Sequence, residues 1–191
     1  IQNSAQRMQV LINDLLTYSR VTTKAQPFSD VSLSEIVTQV ISDLEIRIEQ
    51  SKGKVDWHRL PTLQADQTQM YQLFQNLISN ALKFSRPGIP PHVTIETTIF
   101  EKSPLGRSGS VCQIVVKDNG IGFDEKYSDR IFTIFQRLHG RHEYEGTGIG
   151  LAICRKIVDR HGGFITATSQ LGEGSKFIIT LPLKQRTGES V

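Results

Sequence analysis

Between Asp66 and Ser85 the chain reads DQTQMYQLFQNLISNALKFS, and three of its polar side chains recur at a spacing suited to holding a phosphate chain. Asn76, Asn80 and Lys83 stand at i, i+4 and i+7, so on a helix they share one narrow face. A carboxamide oxygen is a neutral ligand for a hard cation, and Mg²⁺ is commonly shared between few protein oxygens, waters and substrate phosphates. A lysine ammonium is a mobile point charge suited to phosphate oxygens. The face carries no acid able to deprotonate water. The same three residues would equally make a solvated surface, and other segments have to decide.

Two glycine clusters bear on that decision. The first, Asp118-Asn119-Gly120-Ile121-Gly122, follows an apolar run directly. A carboxylate at a strand end, next to glycines that admit a planar ligand, is an acceptor-only group. Adenine offers it an exocyclic amino donor where guanine offers a carbonyl, so Asp118 favours ATP over GTP. An ordinary turn with Asp118 bonded locally is the plainer alternative. The second cluster is Gly146-Thr147-Gly148-Ile149-Gly150-Leu151. Free amides at a helix start, with glycines letting the backbone close in, make a phosphate cradle. It is neither a Walker loop nor a Rossmann fingerprint, because no Gly-Lys-Ser/Thr follows and no strand leads in. Between the clusters, Phe123 to Glu145 joins the apolar anchor of Ile131, Phe132, Ile134 and Phe135 to a polar run. It reads as a lid, from which Arg137 could reach a terminal phosphate.

The elements that must position these groups follow from periodicity. Met70, Leu73, Phe74, Leu77, Ile78, Ala81 and Leu82 give the helix from Asp66 to Ser85 a core face beside its polar one. Ile1 to Val21 forms a helix whose Ile1, Ala5, Met8, Ile12, Leu15 and Ser19 make a heptad seam, widened by Leu11 and Leu16 toward bundle packing. Such a helix needs partners, so the chain reads as one part of a bundle completed elsewhere. Val21 to Asp30 is a proline-containing break. Ser32 and Glu35 can cap a helix that runs to Gly53, with Leu33, Ile36, Val37, Val40, Ile41, Leu44 and Ile48 inward. Strands are expected over His92 to Glu101, Val111 to Lys117, Phe164 to Thr168 and Lys176 to Leu181, with a helix over Leu151 to Arg160. Elements mixed in this way predict a sheet with helices on one face, an α/β sandwich.

Composition excludes several classes. The 191 residues are 38% hydrophobic and 21% charged, and the net charge of +3 is too small to argue for nucleic acid. No stretch approaches the ~20 apolar residues of a membrane span, and the start is not a signal peptide, so a cytoplasmic protein is expected, with any anchor lying upstream. Cys112 and Cys154 read as buried free thiols in a reducing compartment.

Taken in order, these segments resemble the catalytic domain of sensor histidine kinases. Asn76-Leu77-x-x-Asn80-Ala81-x-Lys83-Phe84 resembles the N box and Asp118-x-Gly120-x-Gly122 the first glycine box. Ile131-Phe132-x-x-Phe135-x-Arg137 resembles the F box, and Gly146-x-Gly148-x-Gly150-Leu151 the second glycine box. Gly172-Glu173-Gly174-Ser175-x-Phe177 resembles the final glycine-rich turn. Each box is weak alone, and the ordered set is specific. The resemblance implies an α+β, two-layer sandwich of the Bergerat type, preceded by one bundle-forming helix, with ATP and Mg²⁺ as ligands. It implies that Asn80 ligates the metal with Asn76 in support, that Lys83 and Arg137 contact phosphates, and that Phe84 lies against the nucleotide. Asp118, with Gly120 and Gly122, would hold adenine; Gly146, Thr147, Gly148, Gly150 and Leu151 would frame the phosphates. Residues 1–23 would be the second helix of the dimerisation and phosphotransfer hairpin, 24–30 a linker, 31–184 the catalytic domain and 185–191 a tail. The implied partners are a second copy, through the hairpin, and a response-regulator receiver domain.

The family's phosphoacceptor is a His followed by an acid on the first hairpin helix, which would precede Ile1. His142-Glu143 has that dipeptide but sits in the expected lid, and Gly146 rules out a zinc HExxH site. A histidine kinase core is therefore expected. The alternatives are an ATPase clamp of the same superfamily and a non-catalytic nucleotide-binding module. ATPase relatives carry a Glu where this chain has Asn76, and an amide is no useful base, which favours the kinase.

Overall fold

The computed structural model describes residues 2–101, 109–138, 144 and 146–185. Its chain order is α1 (Gln2–Thr23), β1 (Ser29–Ser32), α2 (Leu33–Asp43), α3 (Glu45–Gln50), β2 (Lys54–Trp57), β3 (Thr62–Ala65), α4 (Gln67–Lys83), β4 (His92–Phe100), β5 (Val111–Asp118), α5 (Gly150–Arg160), β6 (Phe164–Gln170) and β7 (Gly174–Pro182). Two short 3-10 turns, Glu125–Tyr127 and Arg130–Phe132, precede α5.

The main sheet has the order β2-β4-β5-β7-β6, so β5, read from sequence as a central strand, lies in the middle. Its residues alternate: Cys112, Ile114, Val116 and Asp118 are buried, whereas Lys117 is exposed. One face is therefore covered. α4 and α5 pack across it, burying Leu73, Phe74, Leu77 and Ile78 from one helix and Ile153, Ile157 and Val158 from the other. Antiparallel sheets tolerate one wet face, and this sheet is antiparallel except where β2 joins β4.

Local chemistry sets the ends of α4. The Asp66 side chain accepts from the Gln69 N–H at 3.2 Å, satisfying one orphan donor of the first turn. Pro87 lies just past the Phe84 cap and cannot continue the helix. Ser32 caps α2 in the expected way, accepting from the Glu35 N–H.

Three expectations change. The helix drawn from Ser32 to Gly53 is two, broken at Leu44; its buried stripe stops at Val40 and α3 buries nothing, so no core demands a straight rod. Lys52, not Gly53, takes the left-handed cap conformation (φ 52°). The break expected over Val21 to Asp30 already contains the start of β1, which pairs antiparallel with β3. Lys102–Ser108 of the expected loop, and residues 186–191 of the expected tail, lie outside the described residues.

Candidate functional site

The C-terminal end of α4 is tied to the turn after β5 by backbone bonds. Ile121 N–H donates to Phe84 O at 2.9 Å, and Gly172 N–H donates to Ile121 O at 2.7 Å. Arg86 bridges the same segments: its Nε donates to Asn119 O and one guanidinium nitrogen to Gly172 O, both at 2.8 Å. Asn119 accepts from the His92 N–H at 2.8 Å. This stitching puts the polar face of α4 beside Asp118. Gly122 allows it, because at φ 63° an added Cβ would stand 2.0 Å from Gln170 O.

The result is one cavity of about 270 Å³. Its walls include Asn80, Lys83, Phe84, Asp118, Gly122, Arg137, Gly146, Thr147, Gly148, Gly150 and Leu151. Of the residues singled out in the sequence, Asn76 and Gly120 do not line it. Asn76 donates its Nδ2 to Gly150 O at 3.1 Å, which fixes the first turn of α5 against α4. Gly120 N–H donates to Asp118 Oδ1 at 2.8 Å.

Asp118 is nearly buried, at 8% exposure. Its Oδ1 accepts from Gly120 and from Ser175 N–H, at 2.8 and 3.2 Å, leaving Oδ2 for a ligand donor. Burial pushes its carboxyl above the ordinary range, against those two bonds. Lys83 Nζ stands 4.2 Å over the Phe84 ring and faces Gly146, where an added Cβ would lie 3.0 Å from it. Gly148 has φ 76° and passes so close to Gln136 O that a Cβ would stand 2.9 Å away.

The F-box stretch divides. Phe132 is buried and meets Phe177 edge-on at 6.4 Å, whereas Phe135 is 55% exposed with φ 66°. Arg137 donates to the carbonyls of Gly146 and Tyr144, so its fork shapes the lid backbone. His139 to Glu143 and Glu145, including the His142-Glu143 pair, lie outside the described residues.

Sequence reasoning missed three participants, and it named a fourth, Ser175, only as part of the final glycine-rich turn and with no role. Arg86, Ser175 and Tyr144, whose ring tilts against Phe84 at 5.0 Å, carry no periodic signal. The last of the three missed residues corrects an expectation. Asp14, from α1, lines the same cavity, so an acid does stand near the cradle although none lies on the α4 face. Among the described residues no cluster of three or more His, Cys, Asp or Glu is placed to hold a metal ion.

Residues 65–185, more than half of the chain, match the family described as histidine kinase-, DNA gyrase B-, and HSP90-like ATPase. The chain belongs to this ATPase family. Cyanobacterial phytochrome A from Nostoc sp. is 45% identical over 182 residues, 95% of this chain and 23% of that protein. Sensor histidine kinase WalK from Bacillus subtilis is 35% identical over 192 residues, 96% of this chain and 30% of that protein. The chain thus spans under a third of these relatives' lengths. Among solved structures, full-length ShkA in complex with AMPPNP superposes with a TM-score of 0.74 at 25% identity, covering 97% of this chain and 38% of that one. The ATPase fold of the family, one sheet with helices on one face, is the fold found here.

Proposed function

We propose that the cavity binds Mg-ATP and that the chain is the catalytic part of a protein-histidine kinase. The γ-phosphoryl would pass to an imidazole on a helical hairpin to which α1 belongs, and then to an aspartate of a receiver domain. The observation that carries this reading is the shared cleft: Asn80 and Lys83 of α4 line the same cavity as Asp118. The relative named as a sensor histidine kinase and the neighbour solved with an ATP analogue support it.

The residues present fit both ligands. Asp118 Oδ2 accepts the adenine amino group. Asn80 offers a neutral oxygen to Mg²⁺, with Asn76 supporting through the α4–α5 contact rather than from the cavity wall. The metal, when bound, supplies charge neutralisation on the phosphates. Lys83 adds a second positive charge and Thr147 a hydroxyl. Arg137, by holding two lid carbonyls, keeps Gly146 to Gly150 in a cradle. Phosphoryl transfer asks the protein mostly for positioning and charge stabilisation. The attacking imidazole must arrive neutral. The Asn76 amide is spent on Gly150 O and is no base, and the Asp14 carboxylate is engaged by the Thr147 hydroxyl, so slow hydrolysis by water is expected.

γ-Labelled ATP, this chain and a separately supplied acceptor hairpin test the proposal. Acid-labile label on the hairpin, with little phosphate released in its absence, is expected. Steady phosphate release without transfer contradicts it and favours an ATPase clamp; binding alone favours a nucleotide-sensing module.

A further inference from the structure

Helix α1 carries two unlike stripes. Met8, Ile12, Leu15 and Leu16 lie exposed. Val10, Asp14, Tyr18 and Val21 recur at spacings of four, four and three, so they form a second stripe. That stripe turns into the rest of the fold toward its C-terminal end, Val10 itself being 48% exposed. Val21 is buried at 5% exposure, and Lys156 Nζ stands 4.2 Å over the Tyr18 ring. Val10 and Asp14 line the cavity. The Thr147 hydroxyl, in the second glycine cluster, donates to Asp14 Oδ2 and accepts from the Ile149 N–H at 3.3 Å.

We propose that Asp14 sets α1 and the nucleotide's phosphates in competition for Thr147. The inference rests on the nucleotide reading of the cavity. Thr147 has one hydroxyl proton, which goes either to the Asp14 carboxylate or to a phosphate oxygen. A carboxylate and a phosphate are both acceptor-only anions, so side by side they repel and cannot bond each other. The coupling is reciprocal: the factor by which Asp14 weakens ATP is the factor by which ATP weakens the docking of α1.

Only the first half of α1 is released. Its far end and the segment after it are pinned away from the cavity: Gln69 Nε2 donates to Val21 O at 2.8 Å within the helix, and beyond it Arg160 donates to Gln26 O at 2.7 Å and Gln26 N–H to Asp66 Oδ2 at 2.8 Å. ATP therefore swings the stretch that carries Met8 and Ile12 about a fixed base near Val21, and changes where the exposed apolar seam points.

Calorimetric titration of the full chain with Mg-ATP and with adenosine tests this, comparing wild type with Asp14→Ala and Asp14→Asn. Both variants should bind ATP about fivefold or more tightly at low salt, less so at high salt, with adenosine unchanged because it has no phosphate. Unchanged or weaker ATP binding, or an equal gain for adenosine, overturns the proposal. A wild type that binds no ATP instead refutes the nucleotide reading beneath it. As a second measurement, spin labels on Gln6→Cys and Glu173→Cys should move apart or broaden on adding ATP, and an unchanged distance overturns the swing. Cys112 and Cys154 are buried, which confines labelling to the introduced thiols.

Discussion

Asp118 divides its work between its two oxygens. One is spent on Gly120 and Ser175 N–H, which fixes the ring of backbone around it; the other is the one proposed to meet the base. Asp118→Asn keeps the size but presents one donor edge. It should weaken ATP about tenfold and narrow the gap to GTP, whose carbonyl the amide can reach; the discriminated bond is worth ~1–3 kcal/mol. Competition binding of the two nucleotides checks it, and an unchanged ratio counts against the adenine role. At this scale the sequence was informative about residue type. Carboxylate-then-glycine and carboxamides at i, i+4 are local signals. Arg86, Tyr144 and Asp14 were not readable, because each acts through a partner 33, 60 or 133 positions away in the chain, and nothing in their own surroundings marks it.

Among the elements, α4 does most of the positioning. Leu77 is 1% exposed and lies one residue from Asn76, so Leu77→Ala leaves a cavity beneath the polar face. A loss of ~2–5 kcal/mol in denaturant unfolding is expected. The end of α5 supplies a pH response. His161 is fully buried, accepting the Asp66 N–H at Nε2 (3.0 Å) and giving its Nδ1 proton to Ile157 O (2.7 Å). Burial first, then the Arg160 charge, lowers its pKa below the ordinary 6.5, while the Ile157 bond and Asp66 oppose. The folded chain thus refuses a proton that the unfolded chain accepts. This contribution to stability is complete above about pH 6.5 and is lost as pH falls from there through the folded value. His161→Gln should flatten the fall of unfolding free energy over that window, by up to ~1.4 kcal/mol per pH unit. An equally steep fall in the variant would mean that other groups carry it. Periodicity showed α4, α5 and the four long strands of the sheet. It did not show the break at Leu44 or the short pair β1 and β3, because a four-residue strand has too few alternations to register and its pairing is a long-range fact.

For the whole molecule, α1 is the odd element. Met8, Ile12 and Leu16 are 62%, 45% and 46% exposed, an apolar seam that water leaves uncovered at a cost. A second copy covering it should make the chain associate with rising concentration. Ile12→Asp with Leu16→Asp should abolish that in sedimentation equilibrium without moving the melting temperature by more than a few degrees. A wild type that stays monomeric at all concentrations argues against the bundle. The heptad spacing announced this surface. The opposite stripe, Val10 to Val21, went unread because its mixed side chains make no periodic apolar signal, yet it is the one that meets the cavity.

The central proposal is that α4 and the glycine turns, which share a single cleft, hold a metal-nucleotide between them. Calorimetry of Mg-ATP binding to wild type and to Asn80→Ala tests it most directly. Asn80 lies off the buried stripe of its helix, so the variant should melt like wild type. The predicted result is binding by wild type and none by Asn80→Ala at the same nucleotide concentrations. Equal affinity in the two proteins would contradict the assignment of the cleft.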